Sequence, residues 1–228
     1  MELRERISSF PLLNSDIILF RGQSCASWNL ESGLFRFLRD NNLIDEFYNQ
    51  EENEFDLFFK DQRFSNWANH TYTQKLAIAQ HYHAKTSLLD WTESWEIALW
   101  FAFNDDEIRI ERALYFIIID QIDILTDYTE DIRDDRFIRF VNPQKFLFNP
   151  RIQNQRGWFS TQPADIMPKN IPRNSFSFPQ FDNLRLIEED SHFDFKITKF
   201  ILPEFMKNEV LNYLDRKGIN ENFIYPDK

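Results

Sequence analysis

Continuous apolar runs in this chain predict short strands. Residues 16–20 and 113–120 are apolar at nearly every position, which is typical of strands buried on both faces of a sheet. Residues 151–159 and 196–202 are predicted as two further strands. Residues 162–194 contain four prolines, which are incompatible with regular structure over much of that span.

Apolar positions at helical spacing predict helices between these strands. Residues 31–67 are predicted to form two helices, with Asn41-Asn42 separating them. Further helices are predicted at residues 73–82, 95–103 and 203–214. The pattern therefore predicts an α+β fold with a mixed or antiparallel central sheet.

The same pattern predicts one domain over residues 1–228, with a helical insertion at about residues 31–82 after the first strand. Hydrophobic residues make up 43% of the 228 positions and aromatic residues 17%, which is ample for a core and excludes a disordered chain.

Charge and cysteine content narrow the classes of partner. The formal net charge of −11 disfavours non-specific binding to nucleic acid or an anionic membrane. The single cysteine, Cys25, excludes an internal disulfide and a cysteine-based zinc cluster. A charged N-terminal segment and the absence of long apolar stretches lead us to expect a cytoplasmic protein without membrane contact.

Arg21 and Gly22 are the first candidates for a binding site. Arg21 follows the apolar residues 17–20, where the predicted strand ends, and Gly22 is one of only four glycines in the chain. A cation beside accessible backbone suits an anion or a carbonyl group. The alternative is an arginine paired with a carboxylate and a glycine that only turns the chain.

Motifs along the chain resemble those of the FRG domain family, which is named for its Phe/Tyr-Arg-Gly motif. The matching segments are Phe20-Arg21-Gly22-Gln23, Gln80-His81-Tyr82, Leu88-Leu89-Asp90-Trp91-Thr92, Ala98-Leu99-Trp100-Phe101-Ala102, Asn149-Pro150-Arg151-Ile152, Gln155-Arg156-Gly157-Trp158-Phe159, Gly218-Ile219-Asn220 and Tyr225-Pro226-Asp227. Their order and spacing extend the resemblance over nearly all 228 residues. The chain departs from the family pattern at His83, Lys85 and Ser87, where a Gly, a Pro and an Arg are usual.

The arrangement more remotely resembles the ADP-ribosyltransferase superfamily. This resemblance implies that NAD is the substrate, that Arg21 contacts its ribose or phosphate side and that Gly22 contacts the carboxamide. Trp91 would stack on the nicotinamide, and Thr92 would supply the hydroxyl of the second strand. Gln23 and Arg151 complete the implied NAD-binding residues.

The third strand of that superfamily usually carries a catalytic glutamate, and Gln155 stands near its place here. A carboxylate stabilises the positive charge that develops on the ribose better than an amide does. We therefore expect Gln155 to support weak catalysis unless Asp90 or Glu93 supplies the carboxylate. Asp90 is the better candidate because burial beside Trp91 would shift its pKa; a structural cap or ion pair is the alternative.

Other polar residues have competing interpretations. His81 and His83 would face the same side of a strand but not of a helix, and no third ligand is evident, so we expect no metal. His81 is expected to hydrogen-bond a carboxylate such as Asp90. In the predicted strand 151–159, the side chains at positions 151, 153 and 155 would project from one face.

Three functions remain open from the sequence. The first is an ADP-ribosyltransferase or NAD glycohydrolase, acting as a bacterial toxin or an anti-phage effector with a protein target or a neutralising partner. The second is a non-catalytic module that binds a nucleotide or a protein. The third is a hydrolase that uses Asp90 and His81 as acid and base.

Overall fold

The computed structural model describes residues 17–28, 30–43, 46–67, 69–107, 111–119, 124–127, 139–147, 149–161 and 196–226. The proline-rich segment 162–194, predicted to be irregular, lies outside these residues. The described helices are α1 (Gly33–Asn41), α2 (Phe47–Lys60), α3 (Tyr72–His81), α4 (Trp95–Phe103), α5 (Pro150–Gln155), α6 (Lys207–Arg216) and α7 (Glu221–Ile224). The strands are β1 (Ile17–Gln23), β2 (Leu89–Thr92), β3 (Glu111–Ile119), β4 (Phe140–Val141), β5 (Gly157–Ser160) and β6 (Lys196–Pro203).

The strands form one six-stranded sheet in the order β4-β5-β2-β1-β3-β6. Every neighbouring pair is antiparallel, which confirms the α+β prediction and selects the antiparallel alternative. β1 and β3 are adjacent strands inside the sheet, each paired with a strand on both sides, and β3 is buried on both faces as predicted.

The two faces of the sheet carry separate parts of the core. Leu19 of β1 lies in a cluster with Trp91 and Tyr115, whereas its neighbour Phe20 packs with α4 and α6 on the opposite face. This alternation follows from the two-residue period of a strand. A strand with apolar side chains at successive positions can therefore bury both of its faces. This suits the position of β1 between β2 and β3, with core packed on either side of the sheet.

The predicted helical insertion is confirmed by α1, α2 and α3, which lie between β1 and β2 in the chain. The Ser32 hydroxyl caps α1 by accepting from the Phe35 N–H, and Asn42 ends the helix in the left-handed region with φ 59°. Thr71 and Gln74 form a capping box at the start of α3. The predicted break at Asn41-Asn42 is therefore confirmed, since α1 ends at Asn41 and α2 begins only at Phe47.

Two predicted element boundaries are wrong. β1 continues through Gln23, which pairs with Ala113, so Arg21 lies within the strand and not at its end. The predicted strand 151–159 is instead helix α5 followed by β5, and Arg156 with φ 46° separates the two. The side chains at positions 151, 153 and 155 therefore do not form one face of a strand.

The remaining predictions agree with the structure more closely. Helix 95–103 is α4, capped by Ser94, and helix 73–82 is α3 shifted by one residue. The predicted helix 203–214 begins later, with α6 preceded by a single 3-10 turn at Glu204–Met206.

Candidate functional site

An open cavity of about 440 Å³ lies beside β1, β2 and β5, with residues of the helical insertion and of α5 along its walls. It is lined by eight of the residues that the sequence singled out for binding or chemistry: Arg21, Gly22, Gln23, Asp90, Trp91, Thr92, Arg151 and Gln155. Glu93, the alternative carboxylate, is not among the lining residues and accepts from the Trp158 indole N–H at 2.7 Å. Segments that are more than a hundred residues apart in the chain therefore meet at one place, because β1, β2 and β5 are neighbours in the sheet.

Arg21 is held at the cavity wall by the backbone of β2. Its Nη1 donates to the Asp90 carbonyl oxygen at 2.8 Å, and the Asp90 carboxylate lies 3.8 Å away. The buried Nε of Arg21 has no hydrogen-bond partner within the described residues. Burial lowers the pKa of Arg21, and the nearby Arg36 lowers it further, while Asp90 and Tyr115 act in the opposite direction.

Tyr115 lies directly across the β1–β3 ladder from Arg21. Burial raises the pKa of its phenol to about 12, against the opposing effect of the Arg21 charge. Tyr115 is consequently neutral at physiological pH and does not compensate the charge of Arg21.

Asp90 is the exposed carboxylate of the cavity. Its side chain is 58% exposed, so the predicted burial of this group is wrong. The Gln80 amide nitrogen donates to both carboxylate oxygens, at 3.0 and 2.9 Å, and Thr86 donates to the amide oxygen of Gln80. Gln80, and not the predicted His81, is therefore the side chain that orients Asp90.

Gly22 is required by the packing of α4 on the sheet. A Cβ atom at this position would lie 1.7 Å from the Ala98 carbonyl oxygen and 2.7 Å from the Ala102 nitrogen. These contacts place helix backbone directly against the strand, so any side chain here would displace α4. Packing against α4 alone therefore accounts for glycine at position 22, without any contact to a ligand.

Thr92 and Trp91, which the sequence assigned to NAD binding, both make structural contacts. The Thr92 hydroxyl donates to the Gln155 carbonyl oxygen at 2.7 Å and accepts from the Ser94 N–H at 3.1 Å. Trp91 is 3% exposed, and its indole N–H donates to Ser160 Oγ at 2.9 Å. Both side chains join neighbouring segments of the fold at the cavity floor.

Gln155 fixes the C-terminal segment at the cavity. Its amide nitrogen donates to the Ile224 carbonyl oxygen at 3.1 Å, and the neighbouring Asn154 donates to the Phe223 carbonyl oxygen at 2.8 Å. These bonds hold α7 in place, so that Tyr225, which follows it, lines the cavity.

Two further arginines line the cavity without a carboxylate partner. Arg36 donates to the Glu31 carbonyl oxygen at 2.8 Å, whereas the Glu31 carboxylate pairs with Arg39. Arg151 donates to His83 Nε2 at 3.2 Å and lies 4.5 Å from the Tyr225 ring centroid. Within the part of the chain that the structure describes, neither guanidinium has a carboxylate oxygen within 4 Å.

The sequence alone did not assign Arg36, Gln80 or His83 to the site. Gln80 lies in the last turn of α3 and His83 lies two residues beyond the helix. Only the packing of the insertion beside β2 brings them to Asp90 and Arg151. Arg36 is among the residues that carry the family resemblance, but an arginine in a helix also resembles many solvated helix arginines, so its pattern indicated no role in binding.

His81 and His83 do not lie on one face of a strand, the arrangement that would have turned them the same way. His81 is the last residue of α3 and is buried, whereas His83 lies beyond the helix in the left-handed region with φ 66°. Across the described ranges, no group of three or more His, Cys, Asp or Glu side chains is arranged as metal ligands. No described helix combines the length and the apolar character needed to cross a membrane.

Comparison with known families finds a match to one family model, over the N-terminal segment that carries several of the cavity residues. Residues 16–109 match the model of the FRG domain, which confirms the resemblance over the segment from β1 to the end of α4. No curated protein and no solved structure matches the chain. Arg21, Asp90 and Thr92 lie inside the matched segment, and Arg151 and Gln155 lie outside it.

Proposed function

We propose that the cavity binds NAD and that the protein is an ADP-ribosyltransferase or NAD glycohydrolase of the ADP-ribosyltransferase type. The observation that carries this proposal is the meeting of Arg21, Thr92 and Gln155 in one cavity, on or beside the adjacent strands β1, β2 and β5. These are the three segments that the superfamily layout uses, although they are distant from one another in sequence.

The charge of the cavity supports an anionic ligand. Arg21, Arg36 and Arg151 line it in a chain of net charge −11, and their described contacts are mainly carbonyl oxygens and rings. A protein with 37 acidic residues could have neutralised these cations with its own carboxylates. Among the described residues, Arg36 and Arg151 have no carboxylate partner, and Arg21 has the largely exposed Asp90 carboxylate at 3.8 Å. Such arginines suit phosphate groups, which the planar guanidinium binds through paired hydrogen bonds.

Aromatic side chains at the cavity rim support a ligand with a planar ring. Trp28 is 47% exposed and Tyr225 is partly exposed, and both line the cavity. An amphipathic aromatic side chain at a pocket mouth can stack on a nucleobase or on nicotinamide. Because the Trp91 ring belongs to the core, we assign the stacking role expected of Trp91 to Trp28.

Asp90 is the carboxylate that we assign to the reaction. The bond between nicotinamide and C1 of the ribose breaks, nicotinamide leaves with the electron pair, and positive charge develops on the ribose. The exposed Asp90 carboxylate, oriented by Gln80, would stabilise that charge and accept the proton released when water or an acceptor group bonds to C1. Arg21 would hold the phosphates.

A second candidate function is nucleotide binding without catalysis. The observation that favours it is the engagement of Gln155 with the Ile224 carbonyl oxygen, which leaves an amide with a structural role where the superfamily has a glutamate. In this case the same arginines would bind the nucleotide, and the bond to nicotinamide would remain intact.

Release of nicotinamide from NAD separates the two functions. The purified protein is incubated with NAD, alone and with cell extract as a source of acceptors, and free nicotinamide is quantified. We expect release by the wild type and at least a roughly hundredfold reduction for Asp90→Asn and for Arg21→Ala. Arg63→Ala is the matched control, because Arg63 is 77% exposed and pairs with Asp61 away from the cavity.

NAD binding without nicotinamide release under either condition would favour the second candidate. Release that is unchanged in Asp90→Asn would remove Asp90 from the mechanism. Absence of both NAD binding and release would overturn both functions. Induced expression in bacteria tests the proposed toxin or anti-phage role, since a toxin should arrest growth in the wild type and not in Arg21→Ala.

A further inference from the structure

His83, the second residue after α3, has a backbone conformation normally adopted by glycine. The N–H of Ala84 donates to the Ala79 carbonyl oxygen at 2.9 Å, and the N–H of His83 donates to the Gln80 carbonyl oxygen at 3.0 Å. These two bonds are those of a Schellman motif, with His83 at the left-handed position and φ 66°. A side chain with a Cβ atom is strained there, whereas glycine is not.

The imidazole of His83 is placed where it can contact a ligand. Arg151 Nη2 lies 3.2 Å from its Nε2, and because a guanidinium can only donate, Nε2 is the acceptor of this contact. Both side chains line the cavity. A strained backbone that presents a hydrogen-bonding ring to a cavity is a common feature of binding sites.

Arg151 itself is held firmly on two sides. His83 contacts one edge of the guanidinium, and the Tyr225 ring lies 4.5 Å from its carbon atom. Its Nε is buried and has no hydrogen-bond partner among the described residues. The group is thus an oriented cation without a counter-ion in the described part of the chain, which is the arrangement that recognises a phosphate.

We propose that His83 and Arg151 form a phosphate subsite of the cavity, distinct from Arg21, and that this subsite selects nucleotides carrying a diphosphate. A phosphate oxygen would accept from the guanidinium, and the imidazole would orient that guanidinium and add a donor. The choice of a nucleotide as ligand rests on the proposed function, but the subsite itself is defined by its two side chains.

The test compares binding of ADP, adenosine and inorganic diphosphate by calorimetry. The variants are His83→Gly, which keeps the favoured backbone conformation of the turn, and Arg151→Gln, with Arg63→Gln as a matched control. We expect each subsite variant to weaken ADP and diphosphate binding by about tenfold or more, the size of a lost charged hydrogen bond. Adenosine binding should stay unchanged.

Folding is monitored by thermal denaturation, and His83→Gly should melt at or above the wild-type temperature because the strain is removed. ADP binding that is unchanged in both subsite variants would overturn the subsite. Equal losses for ADP and adenosine would also overturn it, since they would indicate general damage to the cavity.

The outcomes distinguish this inference from the proposed function. If NAD is not cleaved, but the two variants selectively lose ADP and diphosphate binding, the proposed enzyme activity fails and the subsite stands. If NAD is cleaved and the variants bind ADP like the wild type, the subsite fails while the enzyme activity stands.

Discussion

Single residues of the cavity show that part of this site is kept at a cost to stability. The Arg21 side chain is only 17% exposed, whereas its nearest carboxylate, on Asp90, is 58% exposed and 3.8 Å away. Burial of a cation is unfavourable when its counter-ion remains largely in water. The lowered pKa of Arg21, caused first by burial and then opposed by Asp90, has the same physical origin.

Replacement of this arginine should therefore stabilise the protein and abolish the nucleotide binding that we propose. We expect Arg21→Met to raise the free energy of unfolding by about 1 kcal/mol, because an apolar side chain of similar length carries no charge to desolvate. Nucleotide binding, measured by calorimetry, should be lost. Arg63→Met serves as the surface control and should change neither property. A lower melting temperature for Arg21→Met would mean that Arg21 is chiefly structural.

Gly22 gives the second prediction at this scale. Gly22→Ala is expected to lower the free energy of unfolding by about 3 kcal/mol, because the new methyl group would collide with the backbone of α4. Gly33→Ala is the matched control, since a Cβ atom there has no atom within 4 Å. Chemical denaturation measures both changes. Equal stability of the two variants would contradict the close packing of β1 against α4.

The same residues show why the site was only partly predictable. Arg21 and Asp90 stand in compact motifs next to apolar strands, so the sequence indicated them directly. The tertiary packing of α3 brings Gln80 to Asp90, and no local pattern reports that contact. The sequence suggested that Asp90 is buried because its neighbours Leu89 and Trp91 are apolar, but in a strand the neighbours point to the opposite face.

At the scale of elements, predictability followed the length of the apolar pattern. β3 and α4 are nine residues each and nearly all apolar, and both were predicted within two residues of their bounds. α5 has only six residues, which is too short to display helical periodicity. Its start was nevertheless encoded, because Asn149 caps the helix and Pro150 occupies its first turn.

A buried arginine, Arg112, joins β3 to the segments that follow α4 and β6, and its replacement is predicted to destabilise the fold. Arg112 of β3 is fully buried and contacts Asp105 after α4 and Glu204 after β6, at 2.6 and 2.5 Å. Arg112→Met should lower the free energy of unfolding by about 3 to 5 kcal/mol, because it leaves two partly buried carboxylates without their cation. Denaturation measures the loss. A change below about 1 kcal/mol would show that these carboxylates are well solvated.

The paired variant isolates the interaction itself. Glu204→Gln should cost less than Arg112→Met, since Arg112 retains Asp105 and the Ala102 carbonyl oxygen. Nicotinamide release should be unaffected in Glu204→Gln, because neither Arg112 nor Glu204 lines the cavity.

For the whole molecule, charge is distributed unevenly between surface and cavity. A net charge of −11 should repel the nucleotide that we propose as ligand at a distance, while the cavity arginines should attract its phosphates at contact. Salt chiefly weakens the long-range repulsion by the net charge, because exposed charges more than about 10 Å apart are screened at 0.1 M salt. A nucleotide bound at the arginines should therefore remain bound at physiological salt.

Stabilisation of the whole fold by ligand tests this expectation. A ligand at about one hundred times its Kd stabilises the folded state by about 2.7 kcal/mol. For a chain of this size, that corresponds to a rise in melting temperature of roughly 5 to 11 °C. ADP and NAD should produce such a rise at 0.15 M salt, and adenosine at the same concentration should produce less, because it lacks the phosphates that the arginines bind. The rise should disappear in Arg21→Met, although the melting temperature of that variant without ligand is expected to be higher than that of the wild type. Equal shifts with adenosine and ADP would contradict recognition of phosphate by the cavity.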